Sequence, residues 1–73
     1  MSESLADAIL ISVNAEPATV RVGSLGDVLV QLGYGDVRIA TALNGEFVPE
    51  RMRAATPVAA GDRIEIVSAR QGG

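Results

Sequence analysis

RIATALNGEFVP, residues 38–49, carries the reading of the fold. Asn44-Gly45 is the strongest short-range hairpin signal, because both central residues of a type I′ turn take positive φ, which Asn and Gly tolerate. The pair predicts a strand over Arg38–Leu43 and a return strand over Glu46–Val48, closed by Pro49, which has no N–H to offer a ladder. A two-residue turn also sets the register: Leu43 falls opposite Glu46, and Ala42 opposite Phe47. Thr41, Leu43 and Val48 then share one face. Leu43 and Val48 are the better core pair, so Ala40, Ala42 and Phe47 are expected to look away from the core.

Downstream, Gly61-Asp62 reads as a turn and Arg63–Ala69 (RIEIVSA) as the last strand, with Ile64 and Ile66 inward and Glu65 and Val67 outward. Phe47, Ala42 and Val67 are therefore expected to form one exposed apolar patch ringed by Arg and Glu, the kind of surface that marks a protein contact. Between the two regions, Glu50–Ala60 reads as irregular, with a single helical turn at Arg51–Ala55.

Upstream, Ala8–Asn14 (AILISVN) reads as a strand that is apolar on both faces and so is expected at the centre of the sheet. Asn14-Ala-Glu-Pro17 is a turn signal. Ala18–Val22 alternates, with Val20 and Val22 on one face, and completes a first hairpin. Ser24 can cap a helix, with Asp27 returning the bond in the manner of a capping box. Leu25, Val28, Leu29 and Leu32 follow at i, i+3, i+4 and i+7 as one apolar stripe, and Gly33 stands where a left-handed turn ends a helix. Gly26 inside that helix costs about 1 kcal/mol against Ala, and the sequence offers no reason for it.

The predicted order is strand, strand, helix, strand, strand, strand. A long crossover separates the first and last strands, so they are expected to pair in parallel. This is an α+β layer pair, a mixed five-stranded sheet with one main helix packed on one face, the β-grasp arrangement. Residues 1–7 are expected to form a flexible leader, 8–69 the domain and 70–73 a flexible tail.

Composition narrows the function. The 73 residues include neither cysteine nor histidine, which removes disulfides, thiol nucleophiles, zinc clusters and the commonest general base. No phosphate-binding loop is present, since Gly33-Tyr-Gly35 is too short for one. Catalysis by this chain alone is not expected, nor is a metal site. A net charge of −3 argues against nucleic acid. The acidic Met1–Asp7 segment is no signal peptide, and no apolar run approaches the ~20 residues of a membrane span. The chain is read as cytoplasmic, without a membrane partner.

The sequence ends Arg70-Gln71-Gly72-Gly73. A terminal carboxylate is a poor electrophile until ATP converts it to an acyl adenylate, and to meet ATP it must enter a nucleotide site. A Cβ on the last two residues would collide with the walls of such a site, and glycine removes it. Four residues beyond Ala69 reach about 13–14 Å when extended, enough to thread a cleft while the body docks outside. Arg70 and Gln71 could hydrogen-bond the channel, and Phe47, Ala42 and Val67 could hold the body.

The segments ALNGEFVP (42–49), TPV (56–58), GDRIEIV (61–67) and RQGG (70–73) together resemble the ThiS family of sulfur carrier proteins. The resemblance covers residues 8–73. It implies a ubiquitin-like β-grasp body and no bound cofactor. It further implies adenylation of Gly73 by a ubiquitin-activating-type, ThiF-like adenylyltransferase that uses ATP, with Gly72 as the slim neighbour. Sulfur from a cysteine desulfurase relay would make a thiocarboxylate at Gly73, and a ThiG-like thiazole synthase would use it for the thiazole ring of thiamin. The chain departs from the family at Met52, where a larger residue is usual, and at Gly26. All six basic residues are arginine, so no side-chain amine exists for self-conjugation. A carrier for the molybdenum cofactor or another sulfurated product, a ubiquitin-like protein-conjugating tag and a plain interaction module remain as alternatives.

Overall fold

The computed structural model describes residues 7–68; the leader expected before Asp7 and the positions Ala69, Arg70, Gln71, Gly72 and Gly73 lie outside the described residues. The chain begins with β1 (Ala8–Val13), which returns antiparallel as β2 (Glu16–Arg21). A two-residue β3 (Gly23–Ser24) leads into α1 (Leu25–Gln31). β4 (Ile39–Leu43) and β5 (Glu46–Val48) form the second hairpin. A 3₁₀ helix (Glu50–Ala55), a two-residue β6 (Pro57–Val58) and β7 (Arg63–Ser68) complete the order. The main sheet runs β2-β1-β7-β4-β5, with β1 and β7 parallel and the other neighbours antiparallel. This is the expected β-grasp arrangement.

The Asn44-Gly45 turn holds both residues at positive φ, 53° and 87°, and the register is the anticipated one: Leu43 opposite Glu46, Ala42 opposite Phe47, Thr41 opposite Val48. The capping box at α1 is complete, Ser24 Oγ accepting from the Asp27 amide at 3.0 Å and Asp27 Oδ2 from the Ser24 amide at 3.1 Å. A helix of seven residues is marginal by itself. Burial of Leu25, Val28 and Leu29 against Ile11, Val20, Ile39, Val48, Val58, Ile64 and Ile66 holds it on one face of the sheet. Leu32 packs against this core from the helix C-cap, and Gly33 follows at φ 94°.

Four expectations need correction. β7, not β1, occupies the middle of the sheet, with β1 beside it. The helix covers one face only, so Leu10 on the other face of β1 is 59% exposed despite the strand's two-sided apolar sequence. The first hairpin turns on Asn14-Ala15 alone, at φ 52° and 72°, so Glu16 and Pro17 belong to β2; Pro17 is tolerated there because β2 is an edge. β2 ends at Arg21, leaving Val22 exposed with its amide bound to the Asp7 carbonyl. Finally, the helical turn expected at Arg51–Ala55 is present as the 3₁₀ helix, but the stretch after it, read as irregular, contains β6, which pairs with β3 through Gly23–Val58 and Ser24–Pro57.

Two polar groups tie these pieces together. Arg53 on the 3₁₀ helix donates to the Ile39 carbonyl at 2.8 Å and to Thr41 Oγ1 at 3.3 Å, while the Thr41 hydroxyl donates to the Val48 carbonyl at 3.1 Å. Thr41 is 2% exposed, and this network satisfies its hydroxyl. On β2, the Gln31 carboxamide pairs with both main-chain groups of Arg21, at 2.7 and 2.9 Å, and blunts an edge that would otherwise template another strand.

Gly26 faces the 3₁₀ helix, but a Cβ there would lie 3.6 Å from Ser24 Oγ and 3.8 Å from the Ala54 backbone, ordinary contact distances. Nothing in the packing demands glycine. Gly26→Ala is therefore expected to raise stability by about 1 kcal/mol, a Tm gain of roughly 4–8 °C, through helix propensity and a less disordered unfolded chain. A thermal melt showing a loss instead would mean that the two helices cannot accept the methyl group.

Candidate functional site

Because α1 covers only one face, every strand of the sheet presents half its side chains to an open surface. On β4, β5 and β7 these are Ala40 and Ala42, Phe47, and Glu65 and Val67. They line, together with Thr41, a groove of about 190 Å³. The register explains its shape. Ala42 stands between Phe47 on one side and Glu65 on the other, and Ala40 stands opposite Val67. Two small residues on β4 thus leave a trough between taller neighbours.

Phe47 is 69% and Val67 64% exposed, so both turn away from the core as the hairpin register requires, while Ala42 is half-buried between them. Glu65 places a carboxylate within this apolar surface. Arg63, two residues earlier on β7, carries its guanidinium beside the turn: a Cβ built on Gly45 would sit 3.9 Å from Arg63 Nη2. The patch is therefore apolar in its floor and charged along one strand, as contact surfaces with a polar rim are.

The structure brings Phe47, Ala42 and Val67 together. Arg70, Gln71, Gly72 and Gly73 lie outside the described residues. Sequence reasoning missed Leu10, a further large apolar residue of the open face, which lines a neighbouring depression with Ser12, Pro17 and Gly61. The signal was present: Ile9, Ile11 and Val13 take one face of β1, and Leu10 stands between Ala8 and Ser12 on the other. Among the described residues no group of three or more acidic, cysteine or histidine side chains could hold a metal ion, and no helix is long and apolar enough to cross a membrane.

The topology and the helix on a single face define a ubiquitin-like β-grasp protein. The crystal structure of a thiamine biosynthesis protein (ThiS) from Geobacter metallireducens is similar, with a TM-score of 0.76 and 28% sequence identity over 89% of this chain and 100% of that one. No curated protein sequence matches significantly. The ThiS family model matches residues 11–73, and the chain belongs to that family.

Proposed function

We propose that this protein is a sulfur carrier for the thiazole ring of thiamin and acts as a co-substrate of other enzymes rather than as a catalyst. The observation that carries the reading is the family match, which extends over residues 11–73 and so includes Gly72-Gly73. The likeness to the Geobacter thiamine biosynthesis protein supports it.

In this reading a Gly73 carboxylate oxygen attacks the α-phosphorus of ATP in a ThiF-like adenylyltransferase, and pyrophosphate leaves. A persulfide delivered by a cysteine desulfurase relay then attacks the acyl carbon and AMP leaves, giving an acyl disulfide, and a thiol of the relay reduces its S–S bond to release the thiocarboxylate. A ThiG-like thiazole synthase takes the sulfur. The chain's own contribution is recognition. The open face docks the body, with Phe47 and Val67 seated in the partner and Ala42 as the floor between them. Arg70 and Gln71 line the terminus up in the channel, and Gly72 keeps the approach to the nucleotide free of a side chain.

Intact mass spectrometry of the protein from its native cells tests the proposal. The expected result is a population in which one terminal oxygen is replaced by sulfur. A branched peptide joining Gly73 to a lysine would instead identify a conjugating tag, and a strain lacking the gene that grows without thiamin would end the thiamin assignment.

The docking role has its own test. Phe47→Asp is expected to weaken binding to the activating enzyme more than tenfold, the scale of a buried aromatic anchor. Its effect on stability should stay within about 0.5 kcal/mol, since the ring is largely exposed in the free protein. Isothermal titration beside a thermal melt reads both quantities, and unchanged affinity would remove the groove from the docking surface.

A further inference from the structure

β1 and β7 run parallel, yet their ladder contains only the pairs Ser12–Arg63 and Val13–Ile64. At the next position the chain turns away from the sheet, with Asn14 at φ 52°. The hydrogen bonding nevertheless continues. The Asn14 amide donates to the Ile64 carbonyl at 2.9 Å. Its side chain then takes both main-chain groups of Ile66: the Ile66 amide donates to Asn14 Oδ1 at 2.8 Å, and Asn14 Nδ2 donates to the Ile66 carbonyl at 3.2 Å. A carboxamide offers the same donor and acceptor as a peptide unit, so Asn14 stands in for the strand residue that β1 no longer supplies. The other edge of β7 is held by β4 as far as the Ile39–Ser68 pair.

We infer that Asn14 is a positioning residue for the chain terminus: its carboxamide clamps β7 at Ile66 and thereby fixes the course of the strand toward the C-terminus. The inference rests on the sulfur-carrier reading above. Gly73 lies seven residues beyond Ile66, and its carboxylate must meet a nucleotide in another protein. Releasing β7 from the β1 side moves the last doubly held point back toward Ile64. A strand end held along one edge only ranges more widely in direction, and that misalignment falls on the reaction inside the active site, whereas docking of the body through the open face is untouched. The expected signature is a lower kcat at an unchanged KM.

The experiment follows ATP–pyrophosphate exchange by the cognate activating enzyme as a function of carrier concentration, well below the melting temperature of every variant. Asn14→Gly keeps the positive φ and deletes the clamp. Asn14→Asp keeps the acceptor for the Ile66 amide and loses the donor. Ala15→Gly alters the same turn without touching the clamp. Asn14→Gly should lower kcat about threefold or more with KM within about twofold, because small misplacements of a reacting group are costly. Asn14→Asp should fall between it and wild type, and Ala15→Gly should match wild type. Amide hydrogen exchange at Ile66 should accelerate in Asn14→Gly. Wild-type kcat in Asn14→Gly, or an Ile66 amide that stays equally protected, overturns the inference. If the wild-type protein supports no exchange at all, the carrier reading fails and this inference falls with it.

Discussion

Deleting Gly73 is expected to abolish adenylation while leaving the fold intact. The shortened protein still ends in a glycine carboxylate, so its chemistry is unchanged and only its position moves. One extended residue spans about 3.3–3.6 Å. A displacement of about 1 Å at a reacting centre can already cost on the order of a hundredfold, so pyrophosphate exchange should drop by at least that factor. The buried core of the described residues runs from Ile11 to Ile66, upstream of the deletion, so the melting temperature should not change. Gly72→Ala is the gentler companion: it keeps the length, adds a Cβ beside the reactive residue and should lower adenylation at unchanged stability. Normal thiamin-independent growth of cells carrying only the shortened chain would contradict the proposed role of the terminus.

Leu25→Ala should be the most damaging single core substitution. Leu25 is 0% exposed, opens α1, and its amide donates to the Thr56 carbonyl at 2.7 Å. It therefore joins the helix, the end of the 3₁₀ segment and the sheet at one point. Removing a fully enclosed leucine side chain costs about 2–5 kcal/mol, and the upper half of that range applies where neighbours cannot collapse into the space. A domain of this size has only about 4–11 kcal/mol in total. The variant should be marginally folded at 37 °C, and urea unfolding should show a much lower midpoint with a similar slope. A loss under about 1 kcal/mol would show that the helix is not the keystone of this core.

The two predictions touch opposite ends of the design. The terminus carries the proposed chemistry and nothing in the described core depends on it. Leu25 carries stability, and the proposed chemistry reaches it only through the body's shape. The open face stands between them, fixed by the core on its inner side and available to a partner on its outer side.

The sequence by itself determined whatever depends on neighbours along the chain. Asn44-Gly45 set a turn, the turn set a register, and the register set the faces of Ala42 and Phe47; the two-residue period of a strand leaves no other choice. Ser24 and Asp27 determined where α1 starts for the same reason, since a cap acts within one turn. What lay across the fold was not legible. That β1 has one covered face, and hence that Leu10 is exposed, follows from where α1 lands. The β3–β6 pair joins residues far apart in sequence. Asn14 read only as the end of a strand and the start of a turn, because its partner Ile66 lies 52 positions away. Local rules fix dihedral angles and periodicity. Only tertiary packing decides which surfaces are covered and which distant main-chain groups a side chain satisfies, since those terms arise from groups that meet only when the sheet closes.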